Sequence, residues 1–368
     1  MEVSRIELTD FRNYERAWVR LDPGFNLIIG KNGQGKTSLL EAVYCLSALG
    51  SHRAPTSGSM IRHGEDRAVI RAKASSAGSA MEVDAEIVRG GGIKVWVNKQ
   101  RVGRGARERS LAAILFSPED LDLIKGGPEE RRRFLDQAAV RARPVTATDR
   151  QEFEKALRQR NGVLKAARSN PRALKQLDVW TEQLAATGAA VVTNRLQALI
   201  QLLPAVKRRY RELATAEPPD LSYQASWMDG EPAPDREAIA RALLQRMVET
   251  QSRDLEAAST LAGPHRDDLL IELSGSGARL YASQGEQRSL ALSLRLAERD
   301  VAAEVHGEEP ILLLDDVFSE LDQSRRDRLG ELVSTSGQTI ATATSAESLP
   351  VKGGRTLLVE QGRLSEVE

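Results

Sequence analysis

Gly30-Lys31-Asn32-Gly33-Gln34-Gly35-Lys36-Thr37 is the stretch of sequence that decides the fold. It fits the phosphate-loop pattern G-x-x-x-x-G-K-[ST] at every fixed position. The apolar run Phe25 to Ile29 precedes it, and Ser38 to Leu49 has the composition of a helix. Backbone N–H groups of a glycine-rich turn can surround phosphate oxygens, and the dipole of the following helix adds positive potential. The stretch therefore predicts a site for a nucleoside triphosphate.

Individual roles follow within this predicted site. We expect Lys36 to contact the β- and γ-phosphates of ATP, and the Thr37 hydroxyl to bind Mg²⁺. Arg12 and Asn13 come one hairpin before the loop, and Arg12 either reaches a phosphate or the base, or lies in a solvated turn. The residues predicted to bind ATP are Gly30, Lys31, Asn32, Gly33, Gln34, Gly35, Lys36, Thr37, Ser38, Arg12 and Asn13.

A second apolar run, Pro310 to Leu314, ends in the two carboxylates of Asp315 and Asp316. Carboxylates at the end of a buried strand can bind Mg²⁺ and place a general base beside it. We predict that Asp315 is a Mg²⁺ ligand together with Thr37, and that Asp316 is the base that activates water. With Lys36, these two aspartates form the predicted catalytic set.

Composition bounds the protein class. A chain of 368 residues is long enough for two domains. Lys+Arg and Asp+Glu are 52 each, so any attraction to nucleic acid has to come from local charge. The continuous apolar runs are too short to cross a bilayer. We therefore expect a soluble, cytoplasmic protein with no membrane partner.

Three short segments with alternating polarity follow the phosphate-loop helix. They are Ala68–Lys73, Met81–Val88 and Ile93–Asn98, and glycine-rich turns join them. This pattern predicts an antiparallel meander. Buried strands are predicted at Leu111–Phe116 and Thr339–Ala343.

The character of the sequence changes between about Val145 and Thr260, where apolar residues recur with the period of a helix. We expect Pro171, Pro204 and the loop Glu217–Pro234 to divide this segment into separate helices. The predicted domains are an N-terminal head part, 1–140, a helical lobe, 141–261, and a C-terminal head part, 262–368.

Two basic segments are candidates for DNA contact. The first lies among glycines after the meander and either touches a phosphate backbone or is merely solvated. The second follows Pro128 at a predicted helix start, and it either contacts DNA or pairs with acidic neighbours. The residues predicted to bind DNA are Arg101, Arg104, Arg107, Arg109, Arg131 and Arg132.

A second polar motif begins the C-terminal head part. Gly263-Pro264-His265-Arg266-Asp267-Asp268 leads into a predicted hairpin with arms Leu269–Leu273 and Ala278–Tyr281. Ser283-Gln284-Gly285-Glu286-Gln287 then opens an amphipathic helix. A serine and a glycine at a helix start form either an anion site or a plain cap.

Together these motifs resemble an ABC-type ATPase head of the chromosome-maintenance and double-strand-break-repair branch. The motif at Ser283–Gln287 makes the resemblance ABC-like. Within that branch the chain resembles the RecF family of bacterial recombination mediators over essentially its full length. The resemblance rests on the phosphate loop and on Phe11–Tyr14, Ser51–Arg53, Gly126–Pro128, Arg132–Asp136, Gly263–Asp268, Ser283–Gln287 and Leu313–Asp322.

The resemblance implies an α/β fold: an ABC-type P-loop ATPase head, with a mixed sheet and an antiparallel β subdomain, and an inserted, mainly α-helical lobe. It implies a weak, DNA-stimulated ATPase that uses ATP and Mg²⁺ and forms a homodimer when ATP is bound. The implied partners are double-stranded and gapped DNA, RecR, RecO and the RecA pathway. The signature residues Ser283, Gln284, Gly285, Glu286 and Gln287 would act in trans, on the γ-phosphate held by Lys36 of the other subunit.

Three positions depart from the wider ABC pattern. The glutamine expected after the Leu111–Phe116 strand is absent, and Glu119 is the nearest candidate for its role. Thr344-Ser345 replaces the switch histidine, and the base is Asp316, one methylene shorter than the usual glutamate. A shorter base reaches the attacking water less well. We therefore predict slow hydrolysis that acts as a release timer.

Three alternatives remain beside this interpretation. A transporter ATPase subunit is disfavoured by the helical insertion and the meander. A DNA-repair head with a long coiled coil is disfavoured by the prolines between residues 145 and 260. A structural ATPase that uses nucleotide only to dimerise differs from the main interpretation in one respect, the function of Asp316 as a base.

Overall fold

The computed structural model of the protein describes residues 1–48, 50–53, 56–103, 111–345, 350–351 and 353–367. Contacts divide the chain into two compact units. The first unit comprises Met1–Asp120, Glu212–Thr215 and Leu292–Glu368, and the second comprises Leu121–Arg211 and Ala216–Ala291. The predicted domains, with boundaries at residues 140 and 261, were drawn from sequence motifs and not from contacts. They stay a prediction.

The described residues contain fifteen β-strands. The strands are β1 (Glu2–Phe11), β2 (Tyr14–Arg20), β3 (Phe25–Ile29), β4 (Arg67–Ser76), β5 (Ser79–Val88), β6 (Gly92–Val97), β7 (Gln100–Arg101), β8 (Ala113–Phe116), β9 (Asp220–Gln224), β10 (Asp268–Leu273), β11 (Ser276–Gly277), β12 (Ile311–Leu314), β13 (Thr339–Ala343), β14 (Arg355–Glu360) and β15 (Arg363–Glu366).

The α-helices of the described residues differ widely in length. They are α1 (Lys36–Ala48), α2 (Asp122–Lys125), α3 (Pro128–Ala142), α4 (Thr146–Ala167), α5 (Leu177–Ala214), α6 (Arg236–Glu249), α7 (Gln251–Ala257), α8 (Ala278–Tyr281), α9 (Gln284–His306) and α10 (Gln323–Ser334).

One sheet of the first unit carries the phosphate loop. Its order is β15-β14-β3-β13-β12-β8, and neighbours from β14 to β8 pair in parallel. The central strands β12 and β13 and the edge strand β8 are buried, as expected for a parallel sheet covered on both faces. The predicted strands at Leu111–Phe116 and Thr339–Ala343 are confirmed. The sequence analysis missed β14 and β15, which follow β13.

The second sheet of the first unit is antiparallel, in the order β2-β1-β4-β5-β6-β7. This confirms the predicted meander and shows that β1 and β2 extend it. Alternate residues of β4 are buried, so one face of the sheet packs inward and the other faces solvent. A hydrophobic cluster of the first unit includes residues of both sheets and of α1, among them Ile70, Leu40 and Ile340.

The second unit contains a long helix that the sequence analysis divided wrongly. α5 runs without interruption through Pro204. Proline removes one N–H donor and leaves the carbonyl four residues earlier without its helical partner. That residue, Ile200, is 60% exposed, so solvent can hydrate the carbonyl. A proline on the solvent side of a well-packed helix is therefore tolerated here.

The hairpin predicted after Asp268 is also only partly correct. β10 pairs with the short β11, but Ala278–Tyr281 is the helix α8 and not a strand. On its other side β10 pairs with β9, which lies in the segment Glu217–Pro234 that was predicted to be a loop. Along β9 the buried Leu221 and Tyr223 alternate with polar residues. This alternation in the sequence is the signal that would have revealed the strand.

One helical stretch of the described residues, Pro171–Ala214, is long and apolar enough to cross a membrane by length and composition. In this protein 67% of its most apolar window is buried. Burial of this kind is typical of the core helix of a soluble protein.

Candidate nucleotide-binding site

The phosphate loop joins β3 to α1 and is shaped by its glycines. Gly30 and Gly35 have φ angles of +154° and +120°, a region that side chains with a Cβ rarely adopt. A Cβ on Gly35 would lie 2.6 Å from Asn13 Nδ2, so the neighbouring hairpin also requires glycine there. The loop therefore depends on glycine for both its conformation and its packing.

Hydrogen bonds from distant residues hold the loop in place. Asn13 Nδ2 donates to the Gln34 carbonyl at 2.7 Å, and the Tyr14 hydroxyl donates to the Gly35 carbonyl at 2.9 Å. From the turn between β14 and β15, the Gln361 N–H donates to Gln34 Oε1 at 2.6 Å. Asn13, predicted to contact ATP, thus supports the loop directly.

Lys36 lies at the start of α1 and is buried. Its Nζ donates to the Gly30 carbonyl at 2.8 Å and lies 3.5 Å from Asn32 Oδ1. These acceptors are neutral, and a buried cation is stabilised far better by an anion. The side chain is therefore poised to receive a phosphate.

Asp315 receives hydrogen bonds from two threonines at the end of β12. Thr37 Oγ1 donates to Asp315 Oδ1 at 3.0 Å, and Thr342 Oγ1 donates to the same oxygen at 2.7 Å. Burial raises the pKa of Asp315, the adjacent Asp316 adds to the rise, and the two threonine hydrogen bonds oppose it. The net shift is upward. A nearby divalent cation would favour the ionised form.

Asp316 occupies a strained position beside this pair. Its φ is +51°, in the left-handed region, and its N–H donates to Thr342 Oγ1 at 2.8 Å. Its Oδ1 is buried and has no hydrogen-bond partner among the described residues. A carboxylate oxygen held in this way can accept a proton from a water molecule.

The residues fit a Mg²⁺ site of the kind found with nucleotides. Thr37 and Asp315 bring two oxygen donors together, which are the ligands that Mg²⁺ prefers. Among the described residues no group of three or more His, Cys, Asp or Glu could hold a metal ion. The remaining ligands would therefore be phosphate oxygens and water.

A cavity of about 530 Å³ connects these groups. It contains most of the predicted ATP-binding residues and Asp316. It also contains three residues that the sequence analysis did not assign to the site: Arg53, Ser59 and Ile61. The full lining is Arg12, Asn13, Asn32, Gly33, Gly35, Lys36, Thr37, Ser38, Arg53, Ser59, Ile61 and Asp316.

Arg12 lines the cavity but is held by protein groups. Its Nε and Nη2 donate to the two carboxylate oxygens of Glu41 at 2.7 and 2.6 Å, and its Nη1 donates to the Ser59 carbonyl at 2.6 Å. Desolvation would raise the pKa of Glu41, but hydrogen bonds from Arg12 and Ser51 outweigh it and lower the pKa. This pairing differs from the solvated turn, whereas contact of Arg12 with a phosphate or the base stays a prediction.

The signature residues lie in the second unit, at the start of α9. The Ser283 N–H donates to Glu286 Oε2 at 2.7 Å, and the Glu286 N–H donates to Ser283 Oγ at 3.3 Å. This reciprocal pair is a capping box. Ser283 and Gln284 are exposed, Gly285 and Glu286 are half-buried, and Gln287 is buried.

The two segments predicted to contact DNA differ in exposure. Arg101 is exposed on β7, whereas Arg104, Arg107 and Arg109 lie outside the described residues. Arg131 is buried, and its Nε and Nη2 donate to both oxygens of Asp268 at 2.7 and 2.8 Å.

Arg132 and Arg133 follow Arg131 on α3. Arg132 Nη1 donates to the Asp267 carbonyl at 2.7 Å, and Arg133 pairs with Glu130 at 3.0 Å. For Arg131 and Arg132 the geometry therefore favours the structural alternative over DNA contact.

The residues at the positions of the missing glutamine and histidine are exposed. Glu119 lies in the short 3₁₀ helix Pro118–Leu121, and its carboxylate is 4.0 Å from Arg53. Thr344 and Ser345 follow β13. The roles of the missing glutamine and histidine remain predictions at these positions.

Comparison with known proteins identifies the family. The sequence model described as "RecF/RecN/SMC N terminal domain" matches residues 2–357. A DNA replication and repair protein RecF from Streptomyces avermitilis is 40% identical, with 100% of both chains covered. One of the same name from Beutenbergia cavernae is 39% identical over 98% of this chain and 100% of its own.

Solved structures give the same result for the fold. A structure of the recombination mediator protein RecF with ATP superimposes with a TM-score of 0.91 at 29% identity, covering 100% of this chain and 97% of that chain. An Smc head bound to the C-winged helix domain of ScpA reaches 0.57 at 15% identity, covering 100% and 97%, and shares the fold alone. The predicted ABC-type ATPase head is confirmed. The chain belongs to the RecF family.

Proposed function

We propose that this protein is an ATP-dependent, DNA-binding recombination and repair protein of the RecFOR pathway. One observation carries the proposal: Thr37 and Asp315, 278 positions apart in the sequence, meet at 3.0 Å beside the buried Lys36. A preformed cluster of this kind serves a triphosphate and its metal ion. The relatives described above are named as RecF repair proteins, and one solved RecF contains ATP.

The residues of the site divide the work of binding and hydrolysis. The loop N–H groups and Lys36 would bind the phosphates, with Lys36 exchanging its carbonyl partners for phosphate oxygens. Mg²⁺ on Thr37 and Asp315 would neutralise phosphate charge. Asp316 would accept the proton of the attacking water through its free Oδ1. Hydrolysis is weak because the side chain of the base is short. Hydrolysis then resets the protein.

ATP would also join two copies of the chain. Ser283 at the start of α9 is exposed, and the adjacent Leu280 and Tyr281 are 79% and 75% exposed. Large apolar side chains beside a helix N-terminus are suited to a protein interface. In the dimer, the signature residues of one subunit would cap the γ-phosphate held by Lys36 of the other.

The dimer would bind gapped or junction DNA. With RecR and RecO it would promote RecA loading in the cytoplasm, in keeping with the RecFOR pathway named for the solved relatives. DNA would stimulate hydrolysis by favouring the dimer, which alone has complete sites.

Sizing by light scattering tests this function directly. The wild-type chain is measured with ATP, with ADP and without nucleotide, each with and without gapped duplex DNA. We expect a dimer only with ATP, and more of it with DNA. A chain that stays monomeric with saturating ATP and DNA would contradict the proposal.

Three variants separate its parts. Lys36→Met should abolish ATP binding and dimerisation. Asp316→Asn should preserve both and reduce hydrolysis at least about 100-fold, as expected for loss of a general base. Ser283→Arg should bind ATP but stay monomeric. Unchanged hydrolysis in Asp316→Asn would show that Asp316 is not the base. Absence of hydrolysis by the wild type would instead favour a structural ATPase that uses nucleotide only to dimerise.

A further inference from the structure

A second cavity of the first unit, of about 510 Å³, lies between β2 and the β14–β15 pair. We call it the basic groove. It shares no lining residue with the nucleotide cavity. The lining residues that matter here are Arg16, Trp18, Arg20, Arg355, Arg363 and Glu366.

The geometry of β2 places three of these side chains in a row. Arg16, Trp18 and Arg20 alternate with Ala17 and Val19, so they share the solvent face of the antiparallel sheet. Along a strand, neighbours on one face are about 7 Å apart. Trp18 therefore stands between two arginines.

Trp18 is unusually open for a tryptophan. Its exposed fraction is 58%. The guanidinium carbon of Arg5 lies 5.0 Å from the centroid of the Trp18 ring, within cation–π range. Arg5 thus supports the indole while much of the ring stays accessible.

The groove has an excess of positive charge. Its one carboxylate, Glu366, is paired with Arg355 at 2.6 Å, and Arg355 also lies 3.5 Å from Asp22. Within the described part of the chain, no ion pair or side-chain hydrogen bond engages Arg16, Arg20 or Arg363.

Beyond β2, the same face of the sheet carries both signs of charge. Glu7 is opposite Trp18 on β1 and is paired with Arg5 at 2.7 Å. On β4, Arg71 and Lys73 are opposite Glu7 and Arg5. Asp84 and Glu82 of β5 are in turn opposite Arg71 and Lys73, so the excess of positive charge lies in the groove itself.

These features together fit one class of partner. Free guanidinium groups bind phosphates, and an open indole stacks on a nucleobase. In a duplex the bases stack on one another, so only an unpaired strand offers a base to Trp18. We infer that the basic groove binds single-stranded DNA, and thus the unpaired strand at a gap. This inference rests on the proposed DNA-binding function and names the strand that the groove contacts.

Fluorescence anisotropy of the full chain with ATP tests the inference. The probes are a labelled oligothymidylate, a gapped duplex and a plain duplex. Trp18→Ala should weaken binding of oligothymidylate roughly 5- to 150-fold, the range expected for one lost base stack. The triple variant R16Q/R20Q/R363Q should reduce the salt slope on oligothymidylate by about 2, because each lost phosphate contact contributes about 0.7.

Two controls isolate the groove. Arg67→Gln removes an arginine that is 72% exposed on β4 but does not line the groove, and it should bind as wild type. Trp18→Phe keeps a stacking ring, so it should bind oligothymidylate nearly as wild type. It should also lose part of the tryptophan quenching that oligothymidylate causes in the wild type.

Each outcome has a defined meaning. Selective loss on oligothymidylate and gapped duplex supports the inference. Equal loss on plain duplex, no loss at all, or failure of the wild type to bind oligothymidylate overturns it. Stronger competition by polyglutamate than by oligothymidylate overturns it in favour of an acidic protein segment. Binding of plain duplex by the wild type with ATP reports on the proposed function separately.

Discussion

The buried position of Asp315 lowers the stability of the folded protein when the carboxylate is charged. Its pKa is raised mainly by burial, so its charged form is less stable in the folded chain than in the unfolded chain. Neutral Asp315 therefore favours folding at low pH, and this contribution is lost as the pH rises through the raised pKa. At neutral pH the ionised carboxylate lowers the stability of the nucleotide-free protein.

Asp315→Asn should therefore raise the melting temperature of the nucleotide-free protein at neutral pH. The asparagine oxygen can still accept from Thr37 and Thr342. The gain should shrink as the pH falls and the wild-type carboxyl protonates. Calorimetry across pH checks this, and Mg²⁺-dependent hydrolysis by the variant should be lost. A lower melting temperature at every pH would contradict the explanation by desolvation.

The length of the base gives a second prediction at this scale. If the short reach of Asp316 limits hydrolysis, Asp316→Glu should raise turnover severalfold, because the carboxylate gains one methylene. Phosphate release at saturating ATP measures it, with Asp316→Asn as the inactive control. Slower turnover in Asp316→Glu would show that reach does not limit the wild type.

Local motifs explain which site residues could be predicted. The phosphate loop and Asp315-Asp316 are each continuous in the sequence, so both motifs could be predicted from the sequence alone. Glu41 and Thr342 become site residues only through tertiary pairing, with Arg12 and with Asp315. Neither has a motif of its own. Arg53 could have been predicted as a site residue, because Ser51–Arg53 was already recognised as a motif.

Among the elements, a buried ion pair joins helices of the second unit. Arg160 on α4 and Asp254 on α7 are fully buried and 2.7 Å apart, and Thr181 and Thr260 also bond to Arg160. Removing one partner leaves a buried charge unpaired.

Arg160→Met should accordingly lower the free energy of unfolding by about 3–5 kcal/mol. Urea denaturation measures the loss. The matched control is Arg158→Met, on an exposed position of the same helix, which should change stability by less than about 0.5 kcal/mol. Loss of less than about 1 kcal/mol in Arg160→Met would mean that water replaces the missing cation.

The short helix α8 gives the other prediction for an element. Tyr281 is exposed immediately before the signature motif. Tyr281→Asp should prevent the ATP-dependent dimer while leaving ATP affinity of the monomer unchanged, since it adds a charge to an apolar interface. Sedimentation with ATP measures it. Val179→Asp, at another exposed apolar position of the second unit, should dimerise normally.

Elements with a regular period were easier to predict than the others. The meander alternates cleanly, so period alone identified it. The continuation of α5 through Pro204 depends on solvent access to one carbonyl, which no local pattern reports. β14 and β15 were missed although only Gln361 and Gly362 separate them, as in a hairpin with a two-residue turn.

For the whole molecule, the balance of charge shapes the expected binding. With 52 basic and 52 acidic residues, long-range attraction to DNA is weak, and local clusters such as the basic groove have to supply it. The logarithm of the DNA-binding constant should fall as the logarithm of the salt concentration rises. The slope should be about −3 or steeper. Titration at several salt concentrations with ATP tests this. A constant indifferent to salt would exclude phosphate contacts as the source of affinity.

The hydrogen bond from the Gln361 N–H to the Gln34 side chain has a consequence for protein synthesis. These residues are 327 positions apart, so a growing polypeptide makes its phosphate loop early and this hydrogen bond late. At ribosomal speeds the interval is roughly 15 to 65 s. Throughout that time the loop can form its hydrogen bonds with Asn13 and Tyr14 but lacks the one from Gln361. A prematurely terminated product would therefore bind ATP more weakly than the whole chain and would sequester less of it.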